Sequence, residues 1–108
     1  MTFSGLKEML EAAGHRCFKD EAPSGETDYI VMSIYLPRRL FGDDGAPLWW
    51  HRCQIDCYSQ DGNADLSGGV FESILDIIDR AGCPFSVMES GYDRDAAAMR
   101  MIVQCDVI

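Results

Sequence analysis

The segment "LWWHRCQIDCYS", residues 48–59, decides the fold because its apolar and polar side chains alternate. In a β-strand successive side chains point to opposite faces of the sheet. One face of this segment carries Cys53, Ile55 and Cys57, and the other carries Arg52, Gln54, Asp56 and Tyr58. The pattern predicts a long strand whose apolar face packs on helices while its polar face does not.

The same segment holds His51, Cys53 and Cys57, which are residue types found in metal and redox sites. In a straight strand the Cα atoms of Cys53 and Cys57 lie ~13 Å apart, at ~3.3 Å per residue. A disulfide needs about 7 Å or less, and zinc needs each sulfur about 2.3 Å from the ion. A small metal- or thiol-dependent enzyme would therefore need a bulge that bends this strand. We instead predict buried packing cysteines, with no catalytic residue, metal ligand or cofactor site.

Outside this strand the apolar periodicity predicts further helices and strands. Helices are predicted over residues 2–14 and 70–82, each ending at a glycine. Strands are predicted over residues 29–36, 84–93 and 98–108, and Pro37 is expected to end the first of them. Since short turns join the strand pairs, we predict an α+β fold with a mostly antiparallel sheet of about four strands and two helices on one face. The 108 residues fit a single domain, residues 1–108.

The composition is acidic, with 18 aspartates and glutamates against 9 lysines and arginines and a formal net charge of -9. Nucleic acids and anionic membranes attract basic proteins, so this charge argues against both as binding partners. No apolar run approaches the roughly 20 residues of a membrane span, and the N-terminus lacks the pattern of a signal peptide. Without an export signal, the five cysteines are expected to be reduced thiols in a cytosol.

A projecting segment, "LPRRLFGDDGAPLWW", residues 36–50, joins two predicted core strands. Its mixture of apolar, aromatic and arginine residues is typical of a protein contact. The candidate interface residues are Arg38, Arg39, Leu40, Phe41, Asp43, Asp44, Trp49 and Trp50. The alternative is a loop that folds back on its own sheet and buries Leu40 and one tryptophan.

The polar face of the sheet is a second candidate contact surface. It is predicted to combine Gln54, Asp56 and Tyr58 with Arg100, Gln104 and Asp106 of the last strand. This surface either meets a neighbouring subunit or is a solvated face.

Several segments, taken in order, carry a resemblance to a known family. They are an N-terminal helix, "CFKDEAP", "DYIVMSIYL", a turn with "DGAPL", the strand "CQIDCYS" before a Gly/Asp-rich loop, an amphipathic helix, and the closing "YDRDAAAMRMIVQCDV". In this order they resemble the tail-terminator, or tail-completion, proteins of long-tailed bacteriophages and prophages. The resemblance covers nearly the whole chain.

The resemblance implies an α+β protein that forms a ring, commonly of six copies, at the head-proximal end of the tail tube. There the ring ends tube growth and helps to join the tail to the head. The implied partners are further copies of the chain, the tail tube protein and head connector or adaptor proteins, with DNA only as passing cargo. The implied location is the virion tail, after assembly in the host cytoplasm, and neither catalysis nor a cofactor is implied. An acidic chain suits a conduit through which DNA slides without binding. Alternatives are another small phage head–tail adaptor or minor tail protein, or a protein- or ligand-binding module.

Overall fold

Among the residues that the structure describes, the fold comprises two helices and five strands. The computed structural model describes residues 1–41, 47–60 and 69–108, and residues 36–41 and 47–50 enter only through their strand pairing. In chain order the elements are α1 (Phe3–Ala12), β1 (Cys17–Lys19), β2 (Tyr29–Phe41), β3 (Pro47–Ser59), α2 (Gly69–Arg80), β4 (Phe85–Asp93) and β5 (Ala98–Val107). The predicted α+β class is confirmed.

Both helices lie where the apolar periodicity predicts them, with defined ends. At the start of α1 the hydroxyl of Thr2 accepts a hydrogen bond from the backbone N–H of Gly5, at 3.0 Å. Gly14 and Gly82, the predicted stops, have φ angles of +96° and +78°. This left-handed conformation strains any residue with a Cβ, so glycine ends each helix at little cost.

The sheet differs from the prediction of about four mostly antiparallel strands. It has five strands in the order β1-β2-β3-β5-β4. β1 pairs with β2 in parallel, and the other three pairings are antiparallel, so the sheet is mixed. The additional strand, β1, spans only 3 residues and lies in the segment 15–28, whose sequence indicates a short strand-like piece followed by a polar loop.

One face of the sheet and both helices enclose a single core. The predicted alternation is confirmed on the two central strands, because Cys53, Ile55 and Cys57 of β3 are fully buried. They meet Leu6 and Leu10 of α1 in the same cluster. The other buried members come from β1, β2, α2, the turn after α2, and β5: Cys17, Ile30, Met32, Phe71, Ile74, Ile77, Ile78, Cys83, Met101, Val103, Cys105 and Val107. The helices therefore cover one face of the sheet, and no described helix covers the other.

The prediction that Pro37 ends β2 is wrong, because the strand continues to Phe41. Pro37 lies opposite His51 of β3, just beyond an irregularity in the pairing between Ile34 and Leu36. Beyond Met32, β1 no longer pairs with β2, so this part of β2 is bonded on its β3 side. A proline is tolerated in an edge strand because its missing N–H need not face a partner.

Among the described residues, no helix is long and apolar enough to cross a bilayer.

Candidate interaction surfaces

A two-stranded extension, residues 38–41 and 47–50, continues beyond the rest of the sheet. β5 pairs with β3 from Ser59 only as far as His51, and β1 pairs with β2 only as far as Met32. Within the described chain, these last residues of β2 and first residues of β3 therefore pair only with each other. Two-stranded ribbons are marginally stable alone in water. The extension is accordingly a part of the molecule that a contact with a partner would stabilise.

Six of the eight sequence-predicted interface residues lie on this extension. The strand register places Arg38 opposite Trp50 and Arg39 opposite Trp49. Leu40 and Phe41 continue the same ladder, opposite Leu48 and Pro47. The other two predicted residues, Asp43 and Asp44, lie outside the described residues. The pairing of β2 with β3 thus brings six of these residues together on two adjacent strands. Their contact with a partner protein stays a prediction.

The open face, meaning the sheet face opposite the helices, carries an organised ionic network around Arg100. The guanidinium donates through Nη2 to Asp56 at 3.0 Å and through Nη1 to Asp93 at 3.4 Å. It also lies over the ring of Tyr58, 5.4 Å from the centroid, in a cation–π contact. Tyr58 in turn stacks on Tyr29, with ring centroids 4.7 Å apart. This arrangement fixes side chains from four strands, β2, β3, β4 and β5, on a single surface.

A second ion pair extends the network across the same face. Arg52 Nε donates to Asp106 at 3.3 Å, and Gln54 donates to Asp56 at 3.1 Å. The ion pairs of this face thus combine two arginines with three aspartates, so charge is nearly balanced there. The surplus of acids in the chain is therefore not concentrated in this network.

The state of Arg100 follows from its surroundings. Burial lowers the pKa of its guanidinium, but the hydrogen bond and charge of Asp56, with Tyr58 and Asp93, outweigh burial and raise the pKa overall. Arg100 is therefore positively charged at neutral pH. Among the described residues, its buried Nε has no hydrogen-bond partner, and the same holds for Nδ1 of His51.

Replacing Arg100 by methionine is expected to lower the free energy of unfolding by about 1.5–3 kcal/mol, because hydrogen bonds to charged groups contribute about that much. The change leaves two half-buried carboxylates, Asp56 and Asp93, without their cation. Urea unfolding at neutral pH measures the loss. Arg94→Met, at an exposed position in the β4–β5 turn, is the matched control and should change stability by less than about 0.5 kcal/mol. Equal losses in the two variants would show that the network contributes nothing specific.

The cysteines of the opening segment lie in the core, as the alternation predicts. β3 pairs residue for residue with β5 from His51 to Ser59, so it lacks the bulge that a site built from His51, Cys53 and Cys57 would need. The register instead places Cys53 directly opposite Cys105. Sequence reasoning missed this cross-strand pair because it depends on β3 and β5 being neighbours in the sheet. The described part of the chain contains no cluster of three or more histidine, cysteine or acidic residues arranged to hold a metal.

The chemistry of these thiols follows from their burial. All five cysteines are free and buried. Burial raises the pKa of Cys57, and nearby Asp56 adds to the shift. A hydrogen bond with Cys53, together with burial, raises the pKa of Cys105. Because the thiolate is the nucleophile and the metal ligand, thiols held protonated in this way are poorly suited to catalysis.

Comparison of the chain with models of known protein families gives no match, and comparison with curated proteins gives none either.

Proposed function

We propose that this chain is a structural protein of a long-tailed phage or prophage that forms a ring at the head-proximal end of the tail tube. The ring ends tube growth and helps to join the tail to the head. It acts by self-association and by contact with the tube protein and with head connector or adaptor proteins. The proposal includes no catalysis and no cofactor, and DNA passes through the ring only as cargo.

The observation that carries this proposal is the two-stranded extension. It projects past the strands that could support it, and its sequence joins paired arginines with Leu40, Phe41, Trp49 and Trp50. Aromatic residues and arginine are enriched in protein interfaces and dominate binding energy there. A marginal ribbon of this composition is best explained as an arm that docks on another protein.

Two further features are consistent with a ring through which DNA passes. The formal net charge of -9 disfavours adhesion of DNA phosphates. Among the described residues, the open face presents a fixed network that pairs two arginines with three aspartates. Such a surface suits contact with a neighbouring subunit, where ion pairs select the correct partner and register.

Shortening the extension tests the role of this arm. The variant replaces residues 39–49 by Asn-Gly, so that Arg38 and Trp50, which are already opposite each other, flank a two-residue hairpin turn. We expect a folded protein whose stability is within about 1 kcal/mol of the original, because the replaced residues lie beyond His51, where the pairing of β3 with β5 ends. We also expect loss of the ring, measured by light scattering after size exclusion and by electron microscopy.

The control for this experiment changes an exposed loop elsewhere. Two glycines inserted after Ser24, between β1 and β2, alter chain length without touching the extension. This variant should assemble as the original does. If the shortened chain assembled as well as the original, the extension would not be needed for ring formation. A full-length chain that stays monomeric at every concentration, and that does not sediment with tail tubes encoded by the same genome, would contradict the proposed function itself.

A further inference from the structure

The exposed large hydrophobic side chains of the described residues are not scattered. Two of them, Met1 and Ile108, are the terminal residues of the chain. The other five lie on two strands only: Ile34 and Tyr35 on β2, and Val87, Met88 and Tyr92 on β4. Tyr92 is 64% exposed and Met88 is 55% exposed, so these side chains contribute little to their own core. Clustered exposed apolar side chains mark interaction sites, whereas single ones do not.

These two groups lie on opposite edges of the same sheet. β4 is the last strand in the order β1-β2-β3-β5-β4. On the other side, β1 covers β2 only at residues 30–32, so residues 33–41 form a second edge in the described chain. We call these the β4 edge (residues 85–93) and the β2 edge (residues 33–41). Each is nine residues long, so their lengths match.

Each edge carries a β-bulge, and the extra residue is itself a large exposed hydrophobic. The pairing of β2 with β3 shifts between Ile34 and Leu36, which leaves Tyr35 as the extra residue. The pairing of β4 with β5 shifts between Val87 and Glu89, which leaves Met88. A bulge redirects a side chain and interrupts the ladder of an edge. Together with Pro37, the bulges favour contact through side chains over a continuous intermolecular sheet.

The two edges also have opposite formal charge. The β2 edge contains Arg38 and Arg39 and no acidic residue. The β4 edge contains Glu89 and Asp93 and no basic residue; because Asp93 is paired with Arg100 of β5, Glu89 provides most of the negative charge of this edge. Two β4 edges brought together would oppose like charges, and so would two β2 edges. A β2 edge meeting a β4 edge joins opposite charges, which favours this pairing and disfavours the others.

We propose that copies of this chain associate head to tail, with the β2 edge of one copy bound to the β4 edge of the next. Ile34 and Tyr35 of one copy pack against Val87, Met88 and Tyr92 of its neighbour. Two different patches on opposite sides of a subunit make a heterologous contact, and such a contact closes into a ring when its rotation allows. The inference rests on the proposed function, because the occupant of each edge is a second copy.

Two charge-introducing variants test the contact. Tyr35→Glu places an acid on the β2 edge, facing the acidic β4 edge of the neighbour. Met88→Arg places a base on the β4 edge, facing the arginine-bearing β2 edge. Each is expected to weaken self-association about tenfold or more, measured by light scattering over a range of concentrations. Ile108→Glu is the control, since Ile108 is 71% exposed but lies on neither edge, and it should assemble normally.

Mixing the two variants distinguishes the head-to-tail contact from a symmetric one. In the mixture, the intact β4 edge of Tyr35→Glu meets the intact β2 edge of Met88→Arg, and the two altered edges carry opposite charges. We therefore expect assembly to return at a 1:1 ratio, with neither variant assembling alone. A symmetric β4–β4 contact would instead be left unchanged by Tyr35→Glu, so undiminished assembly of that variant alone would overturn the proposal.

Variants that fail to fold, and rings that persist in the variants, also have a defined meaning for the proposed contact. If Tyr35→Glu or Met88→Arg fails to fold, Tyr35→Ser and Met88→Ser replace them. These changes remove the apolar side chain without adding a charge, and each should still weaken assembly. Rings that persist in every edge variant would overturn this contact and leave the proposed function standing. A full-length chain that never associates, alone or on tubes, would overturn both.

Discussion

Replacing Phe71 by alanine is expected to lower the free energy of unfolding by about 3–5 kcal/mol, the usual cost of removing a buried phenylalanine from a core. Phe71 lies in the first turn of α2 and is fully buried in the single cluster shared by both helices and the sheet. Its loss leaves a cavity where the helix packs on the strands. Domains of this size have about 5–15 kcal/mol of stability in total, so the variant should be marginally folded at 37 °C.

Urea unfolding followed by far-ultraviolet circular dichroism measures this loss. Glu72→Ala is the matched control, because Glu72 is the next residue of the same helix and is exposed. It should change stability by less than about 0.5 kcal/mol. If Phe71→Ala cost less than about 1 kcal/mol, the packing of α2 on the sheet would be wrong.

Raising the pH from 9 to 11 is expected to lower stability steeply, because of the buried thiols. Burial, with a smaller effect of Glu11, raises the pKa of Cys17 from 9.0 to about 11. In that interval the unfolded chain has lost the proton and the folded chain retains it. The unfolded state then binds fewer protons, so stability falls as pH rises. The raised pKa of Cys17 accounts for a loss on the order of 2 kcal/mol across this interval, and the raised pKa of Cys57 and of Cys83 acts in the same direction.

The free energy of unfolding should therefore be flat between pH 7 and 8.5 and should decline above pH 9, measured in urea with a reducing agent present. Cys17→Ala removes one of the titrating groups at a small cost in volume. Its decline between pH 9 and 11 should be shallower than that of the original chain. Identical slopes for the two proteins would rule out Cys17 as a source of the pH dependence.

The parts of the fold that could be predicted are those set by local periodicity over many residues. Alternation in residues 48–59 was sufficient to assign Cys53, Ile55 and Cys57 to the buried face, and the buried residues of β5 follow the same rule. The helices were predictable because an apolar stripe and a terminal glycine occur together in each. In these cases, the direction of each side chain follows from the period of its own helix or strand and does not depend on which strands are adjacent in the sheet.

Other features depend on neighbours, and the sequence could not supply them. Pro37 was expected to end β2, but a proline in an edge strand needs no partner for its missing N–H, and only the position of β1 reveals that edge. The Cys53–Cys105 pair depends on the strand order. The bulges at Tyr35 and Met88 are shifts of register, which leave no mark on the apolar pattern of a single strand. The candidate contact on β4 therefore emerged only from the assembled sheet.

The strand order also has a consequence for how the chain folds during its synthesis. β5 is the final strand in the chain, yet it lies between β3 and β4 and supplies Met101, Val103, Cys105 and Val107 to the core. While the residues of β5 are still inside the ribosomal exit tunnel, β4 has emerged but its pairing partner, β5, has not. We therefore expect the sheet to be completed only after residue 107 has emerged, with the apolar faces of α2 and β3 exposed until then.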